Sequence, residues 1–350
     1  MNIDQIVDEG LKRVASDIHI TVGIPPNLRI NGALIHLGDK PLSPSDTEEL
    51  VKQTLSEKQF EVLKDKGEVD FSYASPGKGR FRVNAYIQRG SYGMALRIIP
   101  LEIPTMQQLG LPSVISDLTR LPRGLILVTG PTGSGKSTTL ATMIDQINRE
   151  RNVHILTLED PIEYLHRHQK SIVNQREIGS DSQSFSSALR GALRQDPDVI
   201  LVGEMRDLDT ISIAITAAET GHLVLSTLHT LGAAKTIDRI IDVFPPYQQQ
   251  QVRVQLASVI QAVISQQLLP KGDGKGRVAA HEIMIATPAI RNLIREDKIH
   301  QIDTSIQTGG KFRMQTMDSS LVDLYNRGLL RKDIALTQAV NQEEIKKYIV

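Results

Sequence analysis

The chain has 350 residues, with 40 Lys plus Arg balanced by 40 Asp plus Glu, 40% hydrophobic residues and no cysteine. That length suggests about two domains; the balanced charge gives no long-range attraction to nucleic acid or an anionic membrane, and missing cysteine excludes disulfides, thiolate chemistry and Cys-based metal sites. No apolar run nears the roughly 18 residues of a membrane helix, and Asp4, Asp8 and Glu9 precede any apolar block, so a soluble, intracellular-type chain without a secretory signal is expected.

Residues 1–99 read as a small α+β unit. Ile3, Ile6, Val7, Gly10, Leu11 and Val14 have helical spacing. Asp17 to Ile20 and Asn27 to Ile30 alternate like strands, and Asn31-Gly32 is a strong hairpin turn into Ala33-Leu34-Ile35. Ser45 to Lys64 reads as a helix or a helix pair. Phe71 to Tyr73, Arg80 to Gln88 and Met94 to Ile99 alternate again, with turns at Pro76-Gly77 and Gly90 to Gly93.

Residues 100–112 carry Pro100, Pro104 and Pro112 with little periodicity, as an interdomain linker does. Over 113–350 the texture changes. Continuous apolar runs at Leu125 to Val128, Val153 to Leu158, Val199 to Val202 and His222 to Thr227 alternate with longer helical stretches. Strands buried on both faces have this pattern, so an α/β domain with a mainly parallel sheet is expected. Ser258 to Leu269 reads as a helix, Lys271 to Gly276 as an exposed turn, and the tail beyond Ala280 as mostly helical.

Gly130-Pro131-Thr132-Gly133-Ser134-Gly135-Lys136-Ser137, followed by Thr138, fits G-x-x-x-x-G-K-[ST], with a strand before it and a helical stretch after it. Glycines let backbone N–H groups turn inward around an anion, and the helix N-terminus adds partial positive charge. Lys136 is placed to reach the β and γ phosphates of a nucleoside triphosphate, and the Ser137 hydroxyl to hold Mg²⁺. No Asn-Lys-x-Asp element for guanine is present, so ATP is the expected nucleotide.

In open α/β sheets ligands bind beyond the carboxyl ends of the strands, which directs attention to polar residues just after the apolar runs. Val199 to Val202 is followed by Gly203 and then Glu204, one position later than the usual Mg²⁺-coordinating acid of an NTPase. Glu159, Asp160 and Glu163 crowd carboxylates beside a phosphate site, an arrangement that repels the triphosphate unless a metal or an attacking water uses them. Glu163 is assigned to the nucleophilic water and Glu204 to Mg²⁺, with an exchange of those roles left open. If His222 to Thr227 is one strand, His222 and His229 lie about 20 Å apart at opposite ends, which excludes a metal pair. His229 alone sits at the carboxyl end, where it can hydrogen-bond a γ-phosphate.

Guanidinium groups that meet charge developing in phosphoryl transfer accelerate it by roughly 10³ to 10⁵. Two pairs fit. Arg190 and Arg194 have the spacing of one helix face, and Arg82 and Arg97 lie on adjacent predicted strands of the first domain.

Together these segments resemble the type II/type IV secretion ATPase superfamily over nearly the whole chain. Glu159 to Glu163 is similar to its Asp box, Val199 to Asp207 to its modified second motif, and Thr220 to Thr230 to its His box. Within it, Ser16 to Ile20 with Pro25-Pro26, Asn174 to Glu177, and Ala289 to Glu296 resemble the type IV pilus retraction branch. The resemblance implies that the last segment is a helix this branch needs for retraction; the alternative is an ordinary amphipathic helix with Ile290, Leu293 and Ile294 inward and Arg291 and Arg295 outward. The missing cysteines agree with this branch, since many secretion and extension relatives carry a tetracysteine zinc insert.

The resemblance implies a PAS-like first domain, a RecA-like P-loop NTPase second, and Arg82 and Arg97 reaching the nucleotide across the linker. It further implies a cytoplasmic homohexameric ATPase at the inner face of the inner membrane, which it meets peripherally through partners such as a platform protein. The expected work is Mg²⁺-dependent ATP hydrolysis that withdraws pilins during twitching motility. Pilus assembly, type II secretion and a non-hydrolysing accessory scaffold are the rival readings. A nucleic-acid motor is disfavoured, because basic stretches interleaved with aromatics are missing.

Overall fold

A computed structural model describes residues 2–30, 32–75, 77–99 and 102–349. Asn31 and Pro76 of the expected turns, and Pro100 and Leu101 of the expected linker, lie outside the described residues. The chain divides into two compact units, Met1–Glu102 and Ile103–Val350.

The first unit opens with α1 (Ile3–Lys12), started by a reciprocal cap in which Asn2 and Gln5 each accept the other's backbone N–H. There follow β1 (Asp17–Ile20), β2 (Asn27–Ile30), β3 (Ala33–His36), α2 (Pro44–Lys52), α3 (Glu57–Lys66), β4 (Glu68–Ser75), β5 (Gly79–Gln88) and β6 (Ser91–Ile99). The stretch expected as one or two helices is two, because Ser43 and Ser56 each form a capping box. Six antiparallel strands in the order β3-β2-β1-β6-β5-β4 make the sheet. Ile18, Leu28, Phe81, Val83 and Leu96 on it form one core with Ile6, Val7 and Leu63 of the helices.

The second unit runs through α4 (Met106–Leu109), α5 (Ser113–Leu118), β7 (Gly124–Thr129), α6 (Lys136–Glu150), β8 (His154–Glu159), β9 (Ile172–Glu177), α7 (Phe185–Ala192), β10 (Val199–Val202) and α8 (Leu208–Glu219). It continues with β11 (Leu223–Leu228), α9 (Ala233–Asp242), α10 (Pro246–Val259), β12 (Ile260–Pro270), β13 (Arg277–Ile285), α11 (Pro288–Arg295), α12 (Ile302–Gln307), α13 (Met317–Asn326), α14 (Lys332–Gln338) and α15 (Gln342–Ile345). Helix α4 lies inside the segment expected as linker. Thr105 and Gln108 cap it, Met106 and Leu111 pack on the core, and the Thr142 hydroxyl donates to the Pro104 carbonyl at 2.9 Å.

Seven strands are ordered β13-β12-β7-β11-β10-β8-β9, all neighbours parallel except the β12–β13 hairpin. Every residue of β7, β10 and β11 is buried. Along β7, Leu125 and Leu127 face the cluster built by α7, α8, α9 and α10, while Ile126 and Val128 face α6. Each such fully buried aliphatic side chain contributes roughly 1.5–3 kcal/mol. Among the described residues no helix is long and apolar enough to cross a membrane.

One expected helix is a strand. Ser258 to Leu269 ends α10 and then extends as β12 between β7 and β13. Val263 and Ile264 are fully buried on opposite faces, so the run is apolar on both sides without helical periodicity. The expected exposed turn 271–276 closes the hairpin to β13. Arg291 departs from the ordinary amphipathic alternative. It does not stand free in solvent: its guanidinium donates to the carbonyls of Ala257 (2.6 Å), Ser258 (2.8 Å) and Ala286 (3.0 Å) and to Gln261 Oε1 (3.1 Å). The side chain thereby caps the carboxyl end of α10, where the orphan carbonyls attract a cation.

His281 on β13 is buried with no partner for Nε2, and burial pulls its pKa down to about 4. An unfolded imidazole binds its proton near 6.5, so the native state carries the neutral ring and loses stability as pH falls from 6.5 towards 4. Denaturant unfolding of the wild-type chain should give about 2 kcal/mol less stability from this residue at pH ~5 than at pH ~7. The His281→Gln chain should lose that much less over the same interval; an identical acid limb would refute the assignment.

Candidate active site

Strand β7 ends in the glycine-rich loop, and the loop's shape is enforced by its neighbours. Gly130 has φ +142°, and a Cβ there would lie 2.2 Å from the Gln266 carbonyl and 2.7 Å from Ser134 Oγ. A Cβ on Gly135 (φ +88°) would lie 2.8 Å from Gln266 Nε2. Glycine is required at Gly130 by close approach of backbone as well as by φ, and is favoured at Gly135 by φ. Pro131, Thr132 and Gly133 are exposed, while Ser134 and Lys136 are buried. Helix α6 begins with no side chain capping its N-terminus and no acid in its first turn. Its first N–H groups therefore remain available to an anion. Ser134 Oγ is buried without a hydrogen-bond partner, a polar atom that a phosphate oxygen can satisfy.

Lys136 Nζ donates to the carbonyls of Gly130 (2.8 Å) and Pro131 (3.0 Å). Burial holds its ammonium below the usual lysine range, and the Glu204 and Glu163 carboxylates act in the opposite direction. All three groups thus share one electrostatic neighbourhood, at the carboxyl ends of β7, β8 and β10. Beside Ser137, the Thr138 hydroxyl lies 3.0 Å from Tyr164 Oη, which ties α6 to the loop carrying Glu163.

That loop is held from beneath. Glu159 is half-buried, accepts from Thr157 Oγ1 (2.7 Å), Gln175 Nε2 (3.1 Å) and the Glu163 N–H, and has its pKa pushed up chiefly by burial. Glu177 accepts the Ile162 N–H at 3.1 Å, and Gln175 also donates to the Tyr164 carbonyl at 2.9 Å. Of the three crowded carboxylates, Glu159 is therefore a hydrogen-bonded strut, while Glu163 is exposed.

Gly203, one position before Glu204, packs closely on β8. Its N–H donates to the Leu158 carbonyl (2.7 Å), its own carbonyl accepts from Thr227 Oγ1 (2.6 Å), and a Cβ would lie 3.1 Å from that Leu158 oxygen, a tight contact that a side chain could make only if β8 gave way slightly. Glu204 Oε1 meets Arg206 Nε at 2.5 Å and His229 Nε2 at 3.1 Å. His222, before β11, instead bonds the Ala217 carbonyl through Nδ1 at 2.8 Å, so the two histidines stand at opposite ends of the strand.

The arginines are placed differently. Arg82 and Arg97 face one another across β5 and β6 of the first unit, both exposed, with Arg97 Nε 3.0 Å from Asp17 Oδ1. Helix α7 stops at Ala192, so Arg194 lies in the following turn and does not share a helix face with Arg190. Arg190 Nη2 is 3.8 Å from Asp209 Oδ2. Helix α7 packs with α8 on the face of the sheet opposite α6.

Among the described residues no group of three or more His, Asp or Glu could hold a metal alone. Mg²⁺ fits nonetheless, since it is commonly held by one or two protein oxygens together with substrate phosphates and water; Ser137 and Glu204 are the protein oxygens on offer. Gln266 and Tyr164 were not legible as site residues. A polar pair inside the apolar run of β12 was the available signal for the first.

Residues 80–324 match the family described as type II/IV secretion system protein. The chain is 51% identical to the type IV pilus retraction ATPase PilT of Pseudomonas aeruginosa, over 97% of this chain and 98% of that one. It is 50% identical to a twitching motility protein of Neisseria gonorrhoeae, over 91% of this chain and 86% of that one. A crystal structure of the pilus retraction motor PilT with bound ADP superposes with a TM-score of 0.93 at 52% identity, covering 99% of both chains.

Proposed function

Because the chain belongs to the type II/IV secretion system protein family, we propose that it is an ATP-hydrolysing motor that powers retraction of type IV pili. The observation that carries this reading is the uncapped α6 N-terminus and glycine loop, with Lys136, Glu163 and Glu204 converging on it, in a chain alike from end to end to a retraction ATPase.

In this reading ATP lies along Gly130 to Thr138, its phosphates on the loop N–H groups and Lys136. Glu163 takes a proton from water as the water oxygen bonds the γ-phosphorus and the bridging bond to ADP breaks, releasing phosphate. Mg²⁺ on Ser137 and Glu204 would neutralise charge on the β and γ oxygens. His229, hydrogen-bonded to Glu204, is suited to report loss of the γ-phosphate. We assign Arg82 and Arg97 to nucleotide contact, and Arg190 and Arg194 to the nucleotide of a neighbouring copy in a homohexamer. That ring would work at the cytoplasmic face of the inner membrane, on a platform protein of the pilus machine and without nucleic acid.

Phosphate release by the purified chain, measured with its mass in solution with and without nucleotide, tests the motor. A ring that turns over ATP is expected; nucleotide binding without phosphate release would make the chain an accessory scaffold. Deleting the gene in its host should leave cells hyperpiliated. Bald cells would reassign the motor to pilus assembly.

A further inference from the structure

Gln266 on β12 is 3% exposed, in a strand whose buried side chains, Gln267 apart, are otherwise apolar or small. Ser265 pairs with Thr129, so Gln266 lies just past the end of β7, beside the start of the glycine loop. Both ends of its carboxamide are used. Nε2 donates to the Ser134 carbonyl at 2.6 Å, and Oε1 accepts from the Thr139 hydroxyl at 2.8 Å. One side chain therefore bridges the loop to the first turn of α6.

The consequence follows from peptide geometry. In a trans peptide the C=O and the next N–H point in opposite directions. Drawing the Ser134 carbonyl towards Gln266 directs the Gly135 N–H away from β12, into the loop's concave side where a phosphate oxygen would lie. Thr139 N–H in turn bonds the Gly135 carbonyl at 3.0 Å, so the Thr139 contact fixes the adjoining peptide through the helix.

We infer that Gln266 is a positioning residue for the nucleotide's phosphates: through Ser134 and Thr139 it presets the N–H groups of the loop in their anion-binding orientation. The inference rests on the proposed function and deepens it, by naming a residue outside the loop that sets triphosphate affinity.

Gln266→Met keeps the length and removes both hydrogen bonds. Calorimetric titration with ATP should show the dissociation constant raised by about tenfold or more, with KM rising in step and kcat falling less. Gln266→Glu can still accept from Thr139 but cannot donate to the Ser134 carbonyl, and should bind ATP as poorly as Gln266→Met. Thr139→Val removes one bond and should weaken binding by roughly threefold to tenfold. A merely structural glutamine would lower the melting temperature and leave the affinity of the folded protein unchanged. Wild-type binding with a folded Gln266→Met chain within about twofold of it would overturn the inference alone. If Gln266→Met does not fold, unchanged affinity in Thr139→Val overturns it instead. A wild-type chain that binds no nucleotide would overturn the proposed function itself.

Discussion

Replacing Lys136 with Ala should abolish turnover, lowering kcat by at least roughly 10³-fold, the scale of losing a preorganised charge at a reacting phosphoryl group. The ammonium is already drawn into the cradle by the Gly130 and Pro131 carbonyls and is buried before any phosphate arrives. Its desolvation is thus met on folding, and its attraction to a γ-phosphate acts in a low-dielectric site. Lys136→Arg should not restore activity, because a planar fork cannot replace a compact charge between two carbonyls. Steady-state phosphate release is the measurement, and turnover within tenfold of wild type would defeat the assignment.

Glu163→Gln should separate binding from chemistry. The substitution keeps volume, and the loop's supports remain: the Glu163 N–H on Glu159, the Ile162 N–H on Glu177, and Tyr164 on Thr138. Nucleotide affinity should therefore stay within about twofold, whereas loss of the general base should cost roughly 10² to 10⁴ in single-turnover hydrolysis. Glu204→Gln should instead raise the Mg²⁺ concentration needed for half-maximal rate. If the two variants show the reverse pattern, the roles of Glu163 and Glu204 are exchanged; if neither slows hydrolysis, the base lies elsewhere.

The His229–Glu204 contact adds a condition to this assignment. A carboxylate that already holds Arg206 and His229 has fewer lone pairs left for a metal. Under the proposed roles, a Glu204 that held Mg²⁺ would give up its His229 contact and leave His229 free for a γ-phosphate.

The phosphate cradle, the buried strands around it and the family were legible from the residues in order along the chain. Their signals are local: a phosphate loop is made of contiguous backbone N–H groups, and a strand covered on both faces must be apolar throughout. The carboxylates at strand ends were legible for the same reason, since a parallel sheet places the residue after each strand at one edge. What the chain order could not determine was which distant groups meet there. Gln266 comes to Ser134 only because β12 pairs with β7, and a short apolar run is equally compatible with a buried strand and a buried helix. Read as a helix, it hides the glutamine. Arg190 and Arg194 matched helical spacing, yet the helix ends between them and packs on the far face of the sheet. Arg291 had the pattern of a solvent-facing charge until α10 ended beside it and offered unpaired carbonyls. Local chemistry is written residue by residue, whereas facing and partnership follow from burial against elements far along the chain, and only the packed structure decides them.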